Sequence, residues 1–152
     1  MTTVLEPQVT LRNATPADLP AIERLLAANG LILDDVTAGI ADFFVAEAGG
    51  ALVGTIGLEV RAPFALLRSA AVDPSRHRGG IGARLVARVV EEARARKIAA
   101  LYLFTPTATP FFERHGFVPT PRDAIPEELR NTGQFTHACG ATAVTMVRGL
   151  GR

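Results

Sequence analysis

A glycine-rich segment is the part of this 152-residue sequence whose residue types and spacing most directly suggest chemistry. The run Arg78-Gly79-Gly80-Ile81-Gly82-Ala83 lies between an apolar strand pattern that ends in Ala70-Ala71-Val72 and a long helical pattern. Glycines let an anion approach the backbone closely, and the N–H groups and positive dipole end of a helix N-terminus attract it. The segment therefore predicts a phosphate-binding site whose natural occupant is a pyrophosphate.

Two common phosphate-binding motifs do not fit this segment. A P-loop places Lys and then Ser or Thr at the start of the helix, whereas Ile81-Gly82-Ala83-Arg84 supplies neither. A dinucleotide-binding turn belongs to the first βαβ unit and is followed by an acid about 20 residues later. Here four predicted strands precede the turn, and the acids Glu91 and Glu92 lie within the helix.

Composition and charge exclude several other classes of protein. Sixteen basic residues against fifteen acidic ones leave a net charge of +1, which argues against a nucleic-acid partner. The single cysteine, Cys139, excludes a disulfide framework and a multi-thiolate zinc site, and three scattered histidines predict no metal site. No apolar run reaches the roughly 18 residues of a membrane span, and residues 1–13 lack a leader pattern. We therefore expect one metal-free cytoplasmic domain over residues 1–152, with its core at about 8–150 and no membrane partner.

The elements that would position the glycine-rich segment alternate between strands and helices. A helix is predicted to begin at Thr15-Pro16 and to end at Asn29-Gly30, and residues 31–42 are predicted to form a loop with a short helix. Other helices are predicted from the glycine-rich segment to about residue 97, at 111–115 and at 125–131. Strands are predicted at 8–13, 43–47, 51–59, 64–72, 99–105 and 141–148. This order predicts a mixed α/β domain of three layers.

The sequence resembles the GNAT superfamily of acetyltransferases over nearly its full length. The resemblance is carried by RSAAVDPSRHRGGIGARLV, beginning at Arg68, and by FFERHGFVP, beginning at Phe111. It implies the GNAT fold, in which a mixed central sheet of about six to seven strands is flanked by about four helices. It also implies acetyl-CoA as the acyl donor.

Within that superfamily the sequence is most similar to small N-acetyltransferases associated with arsenic resistance. The matching stretches are GLE, LLRS, LYLFT and RDAIPEELRNTGQF, and TATPFFERHGFVP is more weakly similar to the acetyltransferase domain of N-acetylglutamate synthases. The resemblance implies acetylation of the primary amine of a small molecule, an amino acid or an amino-acid-like, arsenic-linked compound. Two alternatives stay open: a protein N-terminal acetyltransferase, and a non-catalytic acyl-CoA-binding or regulatory module. Pairing of the apolar C-terminal strand allows a homodimer.

The resemblance also implies which residues hold coenzyme A. The strand residues would pair with the pantetheine amides, one of their N–H groups would hold the thioester oxygen, and the loop would hold the pyrophosphate. Two positions depart from the family pattern: His77 stands where Gln or Arg is usual, and Phe112 replaces a Tyr that protonates the leaving thiolate. The residues expected to contact coenzyme A are Ala70, Ala71, Val72, His77, Arg78, Gly79, Gly80, Ile81, Gly82, Ala83, Thr105 and Phe112.

Three residues are candidates for catalysis. The attacking amine must lose a proton, and Glu59, at a predicted strand end, is the candidate base, directly or through water; its alternative is a solvated carboxylate. Tyr102 is the only tyrosine and the candidate acid, although a strand tyrosine is more often a packing residue. Ser69 directly precedes the strand segment that would pair with pantetheine. The thiolate of coenzyme A is also able to leave without a protein acid.

Three further residues are candidates for binding the acceptor. Arg68 stands in an apolar run, so it is expected either to hold an acceptor carboxylate in a bidentate manner or to form a structural salt bridge with Glu59. Arg130 and Phe135 belong to a polar and aromatic cluster, with Thr132 and Gln134, that would close over the acceptor. The alternative for this cluster is a surface loop after a short helix.

Overall fold

A computed structural model describes residues 8–31, 33, 36–76, 79–106, 108–136 and 143–151. Short 3-10 turns accompany the strands and helices, and none of the helices in these ranges is long and apolar enough to cross a membrane. The strands are β1 Val9–Asn13, β2 Phe43–Ala48, β3 Ala51–Arg61, β4 Phe64–Val72, β5 Ala100–Thr105, β6 Val118–Pro119 and β7 Val144–Gly149. The helices are α1 Leu19–Ala28, α2 Ile81–Ala95, α3 Thr109–Glu113 and α4 Gly133–Thr136.

The seven strands form one mixed sheet in the order β1-β2-β3-β4-β5-β7-β6. Strands β4 and β5 are parallel, because helix α2 carries the chain back across the sheet between them, and every other neighbouring pair is antiparallel. This architecture confirms the predicted α/β fold with its six to seven strands and about four helices.

Alternation of side chains along the strands creates two buried faces. In β2, Phe44 and Ala46 pack with the apolar stripe of α2, whereas Phe43 and Val45 pack with α1 on the opposite face. A third, smaller apolar cluster packs Leu66 of β4 against Ile125 and Leu129. The helices therefore lie on both faces of the sheet, and the predicted three-layer arrangement is confirmed.

The predicted ends of most elements agree with the structure, and the differences occur at short segments. Strand β4 has the predicted bounds, and α1 ends at Ala28 with Asn29 as its C-cap, whose side-chain amide donates to the Leu25 carbonyl at 2.8 Å. The helix predicted at 125–131 is only a 3-10 turn at Glu127–Leu129. Strand β6 and helix α4 were not predicted, because two and four residues are too short to show a periodic pattern.

An irregularity in β4 separates it from β5. Thr55 pairs with Ala71 and Gly57 with Arg68, so two residues of β4, Ser69 and Ala70, lie opposite one residue of β3. This is a β-bulge, and Ser69 takes a left-handed φ of 57° within it. The pairing of β4 with β5 covers only Phe64–Leu66 against Ala100–Tyr102, although both strands continue further. A gap therefore opens between the two strands.

An ion pair anchors the first strand to the first helical turn. Both guanidinium Nη atoms of Arg12 donate to the Asp18 carboxylate, at 2.8 and 2.9 Å, and the Thr15 backbone N–H donates to the same carboxylate at 2.8 Å. The hydrogen bonds from Arg12 lower the pKa of Asp18 from its ordinary value of 3.8 to about 2. Asp18 is buried, so solvent screens this interaction less than at an exposed pair.

Replacement of Asp18 by Asn is expected to lower the free energy of unfolding by about 1 to 2 kcal/mol at neutral pH. Because the folded-state pKa is depressed, this stabilisation is present above about pH 4 and is lost as the pH falls toward 2. Urea unfolding at a series of pH values measures the difference, which should shrink in acid. The exposed Asp123→Asn is the control and should match the wild type throughout; a constant difference for Asp18→Asn would contradict the linkage.

Candidate functional site

The gap between β4 and β5 widens into a cleft of about 490 Å³, which we call the β4–α2 cleft. Its walls come from the bulged part of β4, the N-terminal turns of α2 and one face of α3. The residues that line it are Asn29, Ile56, Ala70, Ala71, Val72, Gly80, Gly82, Ala83, Leu85, Val86, Ala108, Phe111, Phe112, Arg114 and His115.

Glycines shape the floor of this cleft at the start of α2. Gly80 precedes the helix with a left-handed φ of 75°, a conformation that favours glycine. A Cβ on Gly82 would lie 3.1 Å from Cζ of Phe111, so glycine is what lets α3 pack this close to α2. The first turn of α2 contains no acidic side chain, and its N-terminal N–H groups face the cleft mouth. This end of the cleft suits an anionic group.

The other wall of the cleft is the edge of β4 at Ala70 and Ala71, beyond the last residues that pair with β5. A strand edge offers N–H and C=O groups to an extended ligand that carries amides. The residues Gly79–Gly82 before and at the start of α2 form what we call the glycine turn. Together with this turn, the β4 edge fits an elongated molecule in which an amide-bearing chain is joined to a pyrophosphate. Coenzyme A has this chemical structure.

A second cavity, of about 460 Å³, contains the charged candidates, and we call it the Glu59 cavity. It is lined by the charged residues Glu59, Arg61, Arg68 and Asp42, the last of which pairs with Arg96 at 2.6 Å, together with neutral residues from the 38–43 turn, from β3 and from the start of α4. The full lining is Ala38, Gly39, Asp42, Phe43, Leu58, Glu59, Val60, Arg61, Arg68, Asn131 and Gly133.

The Glu59 carboxylate lies between two arginines. Its Oε2 accepts a hydrogen bond from Nη2 of Arg61 at 2.8 Å, and its Oε1 is 3.6 Å from Nη1 of Arg68. That second distance makes an ion pair but is too long for a hydrogen bond. Oε1 is buried and accepts no hydrogen bond from any residue that the structure describes. A buried acceptor without a donor is costly, so this oxygen suits a donor from a ligand.

Neighbouring residues of β4, on either side of Ser69 in the bulge, line the two cavities. Arg68 lines the Glu59 cavity and Ala70 lines the β4–α2 cleft, with Ser69 between them in the chain. Nε of Arg68 donates to the Ser69 hydroxyl at 3.1 Å, and the Arg68 side chain is only 3% exposed. Ligands bound in the two cavities would therefore approach each other beside Ser69. The sequence analysis placed Glu59, Arg68 and Ser69 near the reaction, and the structure brings these three residues together.

Tyr102 occupies a different environment. Its ring packs edge-on against Phe64, with 6.0 Å between the ring centroids, and it belongs to the cluster around Leu66. Burial raises the pKa of Tyr102 above its usual range. The linings of the two cavities, as the described residues form them, do not include it. These contacts favour the packing interpretation that the sequence left open.

The other expected coenzyme A contacts are only partly gathered at the cleft. Phe112 lines it as a buried ring between Phe111 and Phe117, and Gly79 adjoins Gly80 at the mouth. Ile81 instead points into the core. Thr105 lies at the start of the turn into α3, where its Oγ1 accepts a hydrogen bond from the Ala108 N–H at 2.9 Å. His77 and Arg78 lie outside the described residues.

Arg130 and Phe135 form contacts away from the Glu59 cavity. Arg130 donates to the carbonyl oxygens of Ile125 and Asp123, at 3.2 and 2.8 Å. The Phe135 ring packs at 6.0 Å from that of Phe104, and the Arg122 guanidinium lies 4.9 Å from the centre of the Phe135 ring. Both residues thus hold the segment from which Asn131 and Gly133 reach the cavity.

Sequence reasoning missed several residues that line the cavities. Arg61 lies beyond the strand predicted at 51–59, although β3 continues to it and its guanidinium contacts Glu59. Phe111 on α3 and Arg114 and His115 in the turn that follows it line the same wall of the cleft as Phe112. The helical spacing of FFERH was the available signal for that shared wall. Asn29 reaches the cleft because its side chain also donates to the Val72 carbonyl, at 3.2 Å.

Comparison with known proteins shows which family the chain resembles. Residues 39–119 match the family model described as the acetyltransferase (GNAT) domain. An amino-acid acetyltransferase of Mycobacterium tuberculosis is 32% identical over 117 residues, which cover 70% of this chain and 67% of that protein. An amino-acid acetyltransferase of Neisseria meningitidis is 28% identical over 142 residues, which cover 85% of this chain and 33% of that protein.

Among solved structures, the fold is similar to N-acetylglutamate synthase from Neisseria gonorrhoeae complexed with coenzyme A and N-acetyl-glutamate. The TM-score is 0.82 at 28% identity, with 97% of this chain and 36% of that chain covered. The chain therefore spans about a third of the length of the Neisseria proteins it matches. The match over residues 39–119 covers the hairpin, the bulged β4, the glycine turn and α3, and it shows that the chain belongs to the GNAT acetyltransferase family, which uses acetyl-CoA.

Proposed function

We propose that this chain transfers the acetyl group of acetyl-CoA to the primary amine of a small amino acid bound in the Glu59 cavity. The observation that carries the proposal is Oε1 of Glu59, a buried acceptor without a hydrogen-bond donor among the described residues, 3.6 Å from Nη1 of Arg68 at the β4 bulge. The named acetyltransferase relatives and the complex with N-acetyl-glutamate support an amino acid as the acceptor.

In this proposal coenzyme A occupies the β4–α2 cleft. The N–H groups at Gly80, Gly82 and Ala83 would hold the pyrophosphate, and the β4 edge at Ala70 and Ala71 would pair with the pantetheine amides. The wall made by Phe111 and Phe112 would cover the ligand and exclude water. When bound, acetyl-CoA supplies a thioester, whose carbonyl carbon is the electrophile.

The proton of the attacking amine would go to Glu59. An amino acid's ammonium group cannot attack until it loses a proton, and Oε1 of Glu59 is placed to accept one. The amine nitrogen then bonds to the thioester carbon, the C–S bond breaks, and the thiolate leaves with the electron pair. Backbone N–H groups at the Ser69 bulge would stabilise the oxyanion formed in between. Phe112 supplies no proton, so the thiolate takes one from solvent or departs unprotonated.

The charges of the Glu59 cavity favour an acceptor that carries a carboxylate. Two guanidinium groups, of Arg61 and Arg68, face the Glu59 carboxylate, and the other carboxylate of the lining, Asp42, is already paired with Arg96 at 2.6 Å. The Arg61 side chain is 40% exposed, so it can reach a ligand carboxylate while it holds Glu59. The amine of the same ligand would then lie toward Oε1. This pairing of an amine and a carboxylate describes a free amino acid.

A thiol-release assay with acetyl-CoA and a panel of amines tests this function. The panel contains free amino acids, an amino-acid-like organoarsenical with a primary amine, and short peptides with free N-termini. We expect turnover with at least one free amino acid. Turnover with peptides alone would replace the proposal with an N-terminal acetyltransferase, and tight acetyl-CoA binding without turnover would replace it with a non-catalytic module.

Replacement of Glu59 by Gln is expected to lower kcat by about 10²-fold or more, because the amide keeps the shape of the side chain but accepts no proton. The KM for acetyl-CoA should stay near that of the wild type, since the cleft is unchanged. Glu47→Gln is the matched control: Glu47 lies on the neighbouring strand β2 and also pairs with an arginine, Arg12. A wild-type kcat in Glu59→Gln would exclude this residue as the base.

Replacement of Gly82 by Val is expected to weaken acetyl-CoA binding about tenfold or more, because the added carbons meet Phe111 and fill the floor of the cleft. Isothermal titration calorimetry measures the Kd. Ala95→Val, at the exposed last residue of the same helix, introduces the same side chain away from the cleft and should bind normally. Equal affinity in both variants would show that coenzyme A does not bind here.

A further inference from the structure

Three cationic arginines, Arg94, Arg114 and Arg148, and the imidazole of His115 lie where α2, α3 and β7 meet, beyond the glycine turn. Arg114 and His115 line the β4–α2 cleft, while Arg94 and Arg148 line an adjoining cavity of about 410 Å³. Val86 and His115 line both, so the two spaces are neighbours. We call this group the α3 cationic cluster. The function proposed above does not use it.

Few negative charges offset this cluster. Glu91 is the one acid in the lining of the adjoining cavity, and it already pairs with Arg88 at 3.4 Å. Within the described part of the chain, no acidic side chain forms an ion pair with Arg114 or Arg148. By contrast, the arginines elsewhere that form ion pairs are Arg12, Arg61, Arg68, Arg88 and Arg96.

The contacts of these side chains hold them in position but do not neutralise the charges of the arginines. The Arg114 guanidinium lies 5.9 Å from the centre of the Phe111 ring, and the His115 ring lies 4.7 Å from the same ring. Nη1 of Arg148 donates to the His115 carbonyl at 2.7 Å. Burial, with the positive charges of Arg114 and Arg148, lowers the pKa of His115. The electrostatic potential at this end of the cleft is therefore positive, and it favours a bound anion.

We propose that the α3 cationic cluster binds the ribose 3′-phosphate of coenzyme A, with Arg114 as its principal ligand. This inference rests on the proposed position of the pyrophosphate at Gly80–Ala83. Val86, which lines both the cleft and the adjoining cavity, marks the start of the cluster along α2. The helix rises about 6 Å from Gly82 to Val86, and a ribose can bridge that distance between its diphosphate and its 3′-phosphate. A phosphomonoester dianion meets the guanidinium fork of arginine with charge-assisted hydrogen bonds.

The chemical consequence is discrimination between nucleotides that differ by one phosphate. Dephospho-coenzyme A has the same pantetheine and pyrophosphate as coenzyme A but lacks the 3′-phosphate. It would therefore make every contact with the β4 edge and the glycine turn, and it would lose only the contact with the cluster. The comparison isolates this site from the rest of the cleft.

The experiment measures Kd values for coenzyme A and dephospho-coenzyme A by calorimetry, with wild type, Arg114→Gln and Arg24→Gln. The wild type should bind coenzyme A about tenfold more tightly than dephospho-coenzyme A, and this ratio should fall as salt is raised. Arg114→Gln should remove most of the ratio by weakening coenzyme A alone. Arg24, an exposed arginine of α1, is the control, and its variant should keep the wild-type ratio.

Two results would overturn the inference while leaving the proposed function intact. One is equal affinity of the wild type for the two nucleotides. The other is an Arg114→Gln variant, folded by circular dichroism, that weakens both nucleotides equally, since Arg114 would then act on the shared part of the ligand. A wild-type protein that binds neither nucleotide would instead overturn the position of coenzyme A itself, and with it both proposals.

Discussion

The parallel pairing of β4 with β5 ends at Leu66 and Tyr102, and the bulge at Ser69 turns the rest of β4 away from its neighbour. A sheet interior normally satisfies its backbone groups with the next strand, and an opening there is costly unless another partner fills it. The glycine turn and α2 follow directly after this segment of β4, so the same break that exposes a strand edge also aims a helix N-terminus at it. Both cavities depend on this one interruption.

The charged residues beside the interruption show a second constraint. A buried arginine such as Arg68 needs an anion and hydrogen-bond acceptors nearby, and Glu59 and the Ser69 hydroxyl supply them. Yet the geometry leaves Glu59 Oε1 without a hydrogen bond from the described residues, even though two guanidinium groups are close. A site adapted only for stability would have satisfied this oxygen. The arrangement is better explained by a ligand whose donor completes it.

The sequence predicted the elements that have strong periodicity or clear ends. The apolar stripe of α2 and the bounds of β4 are examples, and so is the glycine turn between them. It did not predict the bulge, because no residue type requires a left-handed conformation at Ser69; the neighbouring strands impose it. Nor did it separate the two roles suggested for Arg130, since its carbonyl partners depend on how residues 122–130 fold. Side-chain direction on short, irregular segments is set by tertiary contacts.

The short contact between β4 and β5 also has a consequence for how the molecule folds. Strands β2, β3 and β4 follow one another in the chain and pair as antiparallel neighbours, so most of this half forms from local hairpins, whereas β1 joins β2 across α1. Strands β5, β7 and β6 form the other half, and the described ladder joins it to the first through three residue pairs, while helix α2 and a shared apolar core pack against both. Closing that junction brings together residues far apart along the chain, so we expect it to form late. The cleft then exists only after the two halves of the sheet have docked.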